Sequence, residues 1–170
     1  MNEQFAWIGI GGNIGDLESV FRLARASLGD LTDHTIKASP IYQTEPWGLQ
    51  EQAPFLNQVV GMIPKQGPEQ LFNELLSIER AHGRHRPSEV RWGPRTLDLD
   101  ILSWPNIVKK VGSLILPHPR LHLRRFVLRP WSDIAANHIP FGLEKTVEEL
   151  LIQCPDDGQI VRTSLSYCVQ

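Results

Sequence analysis

At 170 residues the chain has the length of about one domain, enough to bury roughly 70% of its unfolded surface around one core without disulfide or metal staples. Its 41% hydrophobic and 21% charged residues exclude low-complexity disorder, and Gly or charge interrupts every apolar run before the ~18 residues that a membrane span needs. The net charge of −2 conceals a division: residues 80–129 hold nine Arg and two Lys against Glu89, Asp98 and Asp100, a net +8, and the rest of the chain carries −10.

The opening MNEQFAWIGIGG has no basic region and places Glu3 before a short apolar run, which argues against a secretory signal. Phe5–Ile10, ending in Gly11-Gly12, reads as a buried first strand. Asp16 is placed to cap a helix whose apolar positions Leu17, Val20, Phe21, Ala24 and Leu28 recur at helical spacing, with Gly29 as its stop. His34–Tyr42 predicts a second strand, followed by a polar, Pro-containing loop from Gln43 to Pro54. Phe55–Ile63 predicts a third strand. Gly67-Pro68 then opens a helix with Leu71, Leu75 and Ile78 on one face, and Gly83 ends it.

Arg84–Arg95 has no apolar periodicity and reads as a mobile loop. Thr96–Ser103 returns to strand, with a hairpin at Trp104-Pro105-Asn106 and a returning strand over Ile107–Val111. Beyond Leu116-Pro117-His118-Pro119 the pattern predicts helix from His122 to Ala136, broken near Pro130, and a last short helix over Thr146–Gln153. Cys154 and Cys168 have no His or Cys at ligand spacing, so the chain reads as a reduced, cytoplasmic protein. There is no repeat and no dividing linker, so residues 1–170 form one expected domain. The order strand, helix, strand, strand, helix, strand predicts an α+β fold, a ferredoxin-like antiparallel sheet with helices packed on it.

The chemistry concentrates in Arg91-Trp92-Gly93-Pro94-Arg95-Thr96-Leu97-Asp98-Leu99-Asp100-Ile101. Side chains alternate along a strand, so Leu97, Leu99 and Ile101 face the core while Asp98 and Asp100 lie side by side on the opposite face. Adjacent carboxylates repel unless a cation sits between them, and Mg²⁺ takes a few carboxylates together with phosphate oxygens and water. The bland alternative is an exposed polar face that binds nothing, and the arginines around the pair weigh against it. Arginine suits bidentate contact with phosphate oxygens, so a polyanionic ligand is expected, with nucleic acid and a nucleoside triphosphate both open. Carboxylates beside arginines are what phosphoryl-type transfer requires.

No phosphate-binding glycine motif is present. Gly9-Ile10-Gly11-Gly12-Asn13-Ile14-Gly15 fails G-x-G-x-x-G at Ile14 and reads better as a tight strand-to-helix turn. The loop after Tyr42 mixes Thr44, Glu45, Trp47, Phe55 and Asn57, aromatic faces and polar groups that suit a stacked flat heterocycle, although Trp47 and Phe55 taken alone are commonly core residues.

With IGIGGNIGD, YQTEPWG followed by FLN, RWGPRTLDLDIL and LPHPRLHLRRFVLRP in this order, nearly the whole chain resembles the 6-hydroxymethyl-7,8-dihydropterin pyrophosphokinases of folate biosynthesis. That family moves the β,γ-pyrophosphoryl group of ATP onto the pterin hydroxymethyl oxygen and releases AMP. The resemblance implies a three-layer α/β/α sandwich. It implies two Mg²⁺ ions on Asp98 and Asp100, with Arg84 and Arg95 as further catalytic residues. Thr44, Glu45, Trp47, Phe55, Asn57 and Phe126 match the pterin pocket, Phe55 and Phe126 as the stacking pair. Arg86, Trp92, Arg95, His118 and Arg124 match positions around the nucleotide or its closing loop, and Glu79 and Ile101 match positions near the adenosine. Gly48–Pro54 and Arg84–Arg91 match loops that close over substrates. Ser113, Ile115, Leu76 and Pro119 depart from relatives, and Pro87 sits in a lengthened Arg84–Trp92 loop. A nucleic-acid-binding module is the competing reading. The negative net charge and the lack of an RNP-like or helix-turn-helix signature argue against it. The implied partners are therefore small molecules, with no nucleic acid, no membrane and a monomeric chain.

Overall fold

The computed structural model describes residues 4–84 and 93–165. Strand β1 (Ala6–Gly12) pairs antiparallel with β4 (Phe55–Met62) on one side and β5 (Asp98–Ser103) on the other. Beyond β4 lie β3 (Tyr42–Thr44) and β8 (Ile160–Arg162), and β2 (Lys37–Ala38) pairs with the far end of β4. The order β5-β1-β4-β3-β8 is antiparallel at every ladder, as the sequence predicts.

The one strand expected over His34–Tyr42 is two short ones. Pro40 lies between them and has no N–H for a ladder. Beside it the Ser39 hydroxyl accepts from Val59 N at 3.0 Å, and Ser39 N donates to Val59 O at 2.9 Å.

Alternation along β1 divides the core. Ala6, Ile8 and Ile10, with Val60, Met62, Leu99 and Ile101, pack under α1 (Leu17–Asp30) and α2 (Pro68–Ala81), which contribute Phe21, Ala24, Leu28, Leu71 and Leu75. Phe5, Trp7, Val59 and Leu102 face the other way, onto α3 (Arg125–Ala135) and α4 (Val147–Ile152). Helices on both faces make the expected sandwich. Trp7 lies flat on its face because residue 61 is Gly: a Cβ there would meet the Trp7 ring at 2.7 Å.

Helix ends follow their capping residues. Asp16 accepts from Ser19 N at 3.2 Å, and Thr146 forms a full capping box with Glu149. α1 runs through Gly29 to Asp30, one residue beyond the expected stop. α3 begins at Arg125, not His122, and continues through Pro130, whose ring is buried; packing there overrides the break that proline favours.

The expected return of Ile107–Val111 onto Thr96–Ser103 is not made. β6 (Lys109–Val111) pairs instead with β7 (Leu114–Leu116) across Gly112, which at φ +57 provides the turn a tight hairpin needs. Among the described residues no helix is long and apolar enough to cross a membrane.

Helices α3 and α4 cover only part of their face of the sheet. Gly9 and Gly11 of β1 project no side chain, so the uncovered part is a cleft floored by backbone and edged by residues of β3, β4 and β5.

Candidate active site

The cleft encloses about 690 Å³ including its mouth. Thr44, Glu45, Trp47, Phe55, Asn57, Arg95, Asp98, Asp100, Arg124 and Phe126 all line it, bringing together in space residues that the sequence scatters over eighty positions. One half is an aromatic slot. The Arg124 guanidinium lies 5.4 Å from the Trp47 ring centre and 5.6 Å from that of Phe126, and Arg95 lies 5.9 Å from Phe55. Beneath them Asn57 Nδ2 donates to Thr44 Oγ1 at 2.8 Å, fixing both polar groups on the floor.

The other half is charged. β5 carries Asp98 and Asp100 on the cleft side and Leu99 and Ile101 on the core side, as alternation requires. Asp98 is held between two arginines. Arg95 Nη1 donates to its Oδ2 at 2.8 Å, and Arg84 Nη1 donates to its Oδ1. Arg84 is 6% exposed and also donates to Leu97 O at 3.1 Å and to Glu79 Oε1 at 3.2 Å. Asp100 faces Arg124 at 3.8 Å, beyond hydrogen-bond range.

Two residues that the resemblance placed near the adenosine lie away from the cleft lining. Glu79 is 1% exposed, and its Oε1 accepts from Leu99 N at 2.8 Å as well as from Arg84. Ile101 is in the core under the helices. Arg86 and Trp92, with most of the Arg84–Arg91 loop, lie outside the described residues.

His118 stands behind Arg124, its Nε2 3.5 Å from Arg124 Nη1 and its Nδ1 facing Arg120 N at 3.1 Å. Burial first, then the Arg124 charge, lowers its pKa to about 4. The folded protein therefore keeps His118 neutral where the unfolded chain, with an ordinary pKa near ~6.5, takes up a proton. Stability is complete above ~6.5 and falls as the pH drops toward about 4. Burial lowers His138 as well, with the same sign. Tm is expected to decline from pH 7 to pH 5, and His118→Gln is expected to flatten part of that decline in thermal melts; an unaltered slope would place the protonation elsewhere.

Asn13 is the residue that motif reading passes over. It is 8% exposed, and its amide joins three segments: Oδ1 accepts from Arg95 N at 2.9 Å, while Nδ2 donates to Ala53 O at 2.9 Å and Gln52 Oε1 at 3.1 Å. Its backbone N–H donates to Arg95 O at 2.9 Å. A side-chain amide supplies the one acceptor and two donors used here, and the signal in the sequence is an Asn directly after Gly11-Gly12 at the strand-to-helix turn. Asn13→Ala is expected to cost about 1–3 kcal/mol, since buried partners are left unpaired. It is also expected to lower kcat/KM by releasing Arg95 and the 45–54 loop together; melts and initial rates on one preparation check both.

Carboxylates interleaved with arginines on the open face of an α/β sandwich suit phosphorylated ligands. Residues 7–136 match the sequence model of the 7,8-dihydro-6-hydroxymethylpterin-pyrophosphokinase family, and the chain belongs to that family. The 2-amino-4-hydroxy-6-hydroxymethyldihydropteridine pyrophosphokinase of Bacillus subtilis is 45% identical over 130 residues, which cover 76% of this chain and 77% of that one. The Mycobacterium tuberculosis protein of the same name is 37% identical over 168 residues, covering 91% and 87%. A crystal structure of Plasmodium falciparum HPPK-DHPS matches 89% of this chain with a TM-score of 0.65 at 12% identity, a likeness of fold. This chain spans 43% of that longer one.

Proposed function

We propose that the protein transfers the β,γ-pyrophosphoryl group of ATP to the hydroxymethyl oxygen of 6-hydroxymethyl-7,8-dihydropterin, giving the pterin diphosphate and AMP, a step of tetrahydrofolate biosynthesis. The observation that carries this is the junction within one cleft of an aromatic slot with an Asp and Arg cluster. A flat ring stacked between Phe55 and Phe126, and read along its edge by Thr44, Glu45, Trp47 and Asn57, would present its substituent to Asp98 and Asp100.

Those two carboxylates, with side chains 20% and 31% exposed, are open to the cleft. Among the described residues no group of three or more His, Cys, Asp or Glu side chains gathers to hold a metal. That pattern fits Mg²⁺, which completes its octahedron with phosphate oxygens and water, and does not fit a closed all-protein metal site. Asp98 and Asp100 would hold two Mg²⁺ ions, whose chemistry there is to offset triphosphate charge.

The chain's own part is positioning and electrostatics. Arg84 and Arg95 on Asp98, and Arg124 near Asp100, supply fixed positive charge beside the reacting phosphates, and by the resemblance Arg86, Trp92 and His118 would meet the nucleotide. The hydroxymethyl oxygen gives up its proton to solvent and bonds to the β-phosphorus as the bond from that phosphorus to the α,β-bridging oxygen breaks, and AMP leaves with that oxygen. In this reading the enzyme is a cytoplasmic monomer of one domain, 1–170, acting on small molecules. Its arginines serve the cleft, not a nucleic-acid face.

The test is incubation with ATP, Mg²⁺ and the pterin, with chromatographic identification of the nucleotide product. AMP formed only when both pterin and Mg²⁺ are present is the expected result. ADP, or no ATP consumption by folded protein, would overturn the reading.

A further inference from the structure

We propose that Asp156, with the strand it leads into, is a positioning residue that sets the spacing of the two walls of the pterin slot; this rests on the pterin reading above. One wall is the start of α3, which carries Phe126. The other is Phe55 at the start of β4, with the end of β3, Thr44 and Glu45, laddered beside it. β3 ladders to β4, and the Tyr42 hydroxyl donates to Asp133 Oδ2 of α3 at 2.5 Å, but the wall ends nearest the slot lack support of their own. The N-cap of α3 is Arg124, which makes no side-chain cap hydrogen bond, and β3 is three residues long.

The segment 156–163 adds a cap to the first turn of α3 and an outer strand to β3. Asp156 Oδ2 accepts from Arg125 N at 3.1 Å, so a carboxylate distant in sequence caps the first turn of α3, where negative charge is favoured. Its Oδ1 accepts from Gly158 N at 3.1 Å, forming a turn that delivers Gln159 to the second wall. There Gln159 N donates to Glu45 Oε2 and Glu45 N donates to Gln159 O, both at 3.3 Å. β8 continues the contact by pairing Ile160 with Thr44 and Arg162 with Tyr42, and Thr163 N donates to Ile41 O at 2.9 Å. The Glu45 carboxylate is thus engaged as a latch for this segment. All of it lies beyond residue 136, where the match to the family ends.

The consequence is specific to a stacked ligand. Dispersion falls steeply with separation, and a gap of ~0.5–1 Å forfeits a quarter to a half of each contact. A slot whose walls part slightly therefore loses affinity for the flat ring, while Asp98, Asp100 and Arg95, carried on β5 and the segment before it, stay in place.

The test compares wild type, Asp156→Ala, Asp156→Asn and Leu28→Ala, the last a buried α1 position that lowers stability on the opposite face of the sheet. For Asp156→Ala the expected result is a pterin KM raised ~10-fold, with kcat and the ATP KM within ~2-fold. Asp156→Asn, which keeps one acceptor oxygen, is expected to fall between. Amide exchange is expected to quicken at 125–128 and 44–47 together. A pterin KM within ~2-fold of wild type, an ATP KM rising in parallel, or an equal pterin effect from Leu28→Ala would each overturn the proposal. Wild type that forms no AMP is a separate result and would remove the pterin reading beneath it.

Discussion

Replacing Asp100 with Ala is expected to lower kcat/KM by at least about 10³-fold while moving Tm by no more than about 2 °C. The Asp100 side chain is 31% exposed and approaches Arg124 at a long 3.8 Å, a partly exposed pair of the kind that adds little stability. In the proposed reaction the same carboxylate is one of the two assigned to the metal ions. Asp98→Ala is expected to cost as much activity and, in addition, stability. Its carboxylate joins Arg95 to Arg84, and Arg84 is 6% exposed, so truncation leaves a buried guanidinium with fewer partners. With Asp98 itself 20% exposed, a loss of about 1–3 kcal/mol is reasonable, or about 3–8 °C for a chain of this size. Parallel melts and AMP-formation rates separate the two variants. Near-normal turnover in Asp100→Ala would remove it from the catalytic group, and equal Tm values would show that Asp98 does not anchor Arg84.

What the sequence made legible was what strand and helix periodicity encode. The placement of Asp98 and Asp100 opposite Leu99 and Ile101 followed from alternation alone, and α1, α2 and α4 followed from spacing and caps. The gathering of Thr44, Phe55 and Phe126 with β5 came from resemblance, because no local rule joins segments so far apart. The failures lie where tertiary contact overrides local pattern. Arg84 reads as the first residue of a mobile loop, yet it is buried, because α2 packs on β5 and brings Glu79 and Asp98 around it. β8 has three residues, none of them fully buried, and no periodicity to announce it; only its pairing with β3 makes it a strand. The hairpin was set one turn too early because Trp104-Pro105-Asn106 has turn composition, while the residue that closes the ladder is Gly112.

Glu79, which the resemblance places near the adenosine, is 1% exposed and joins α2 to β5 through its bond to Leu99 N. β5 ends the sheet order, so the outward N–H of Leu99 has no further strand to meet, and Glu79 Oε1 accepts it at 2.8 Å. The same oxygen accepts from Arg84 Nη1 at 3.2 Å, and Arg84 N donates to Glu79 O at 3.0 Å. Glu79→Ala therefore strips a buried cation of one counter-charge and leaves a buried backbone donor unpaired. The expected loss is about 3–5 kcal/mol, on the order of 10 °C in Tm. Glu79→Gln keeps an acceptor for Leu99 N and is expected to lose less than half of that. Because Arg84 then rests mainly on Asp98 and Leu97 O, kcat is expected to fall while the ATP KM stays within about 2-fold, the signature of an altered charge beside the reacting phosphates. A Glu79→Gln enzyme with unchanged Tm and a raised ATP KM would reverse this, making Glu79 a nucleotide contact in the closed enzyme and its bond to Arg84 incidental.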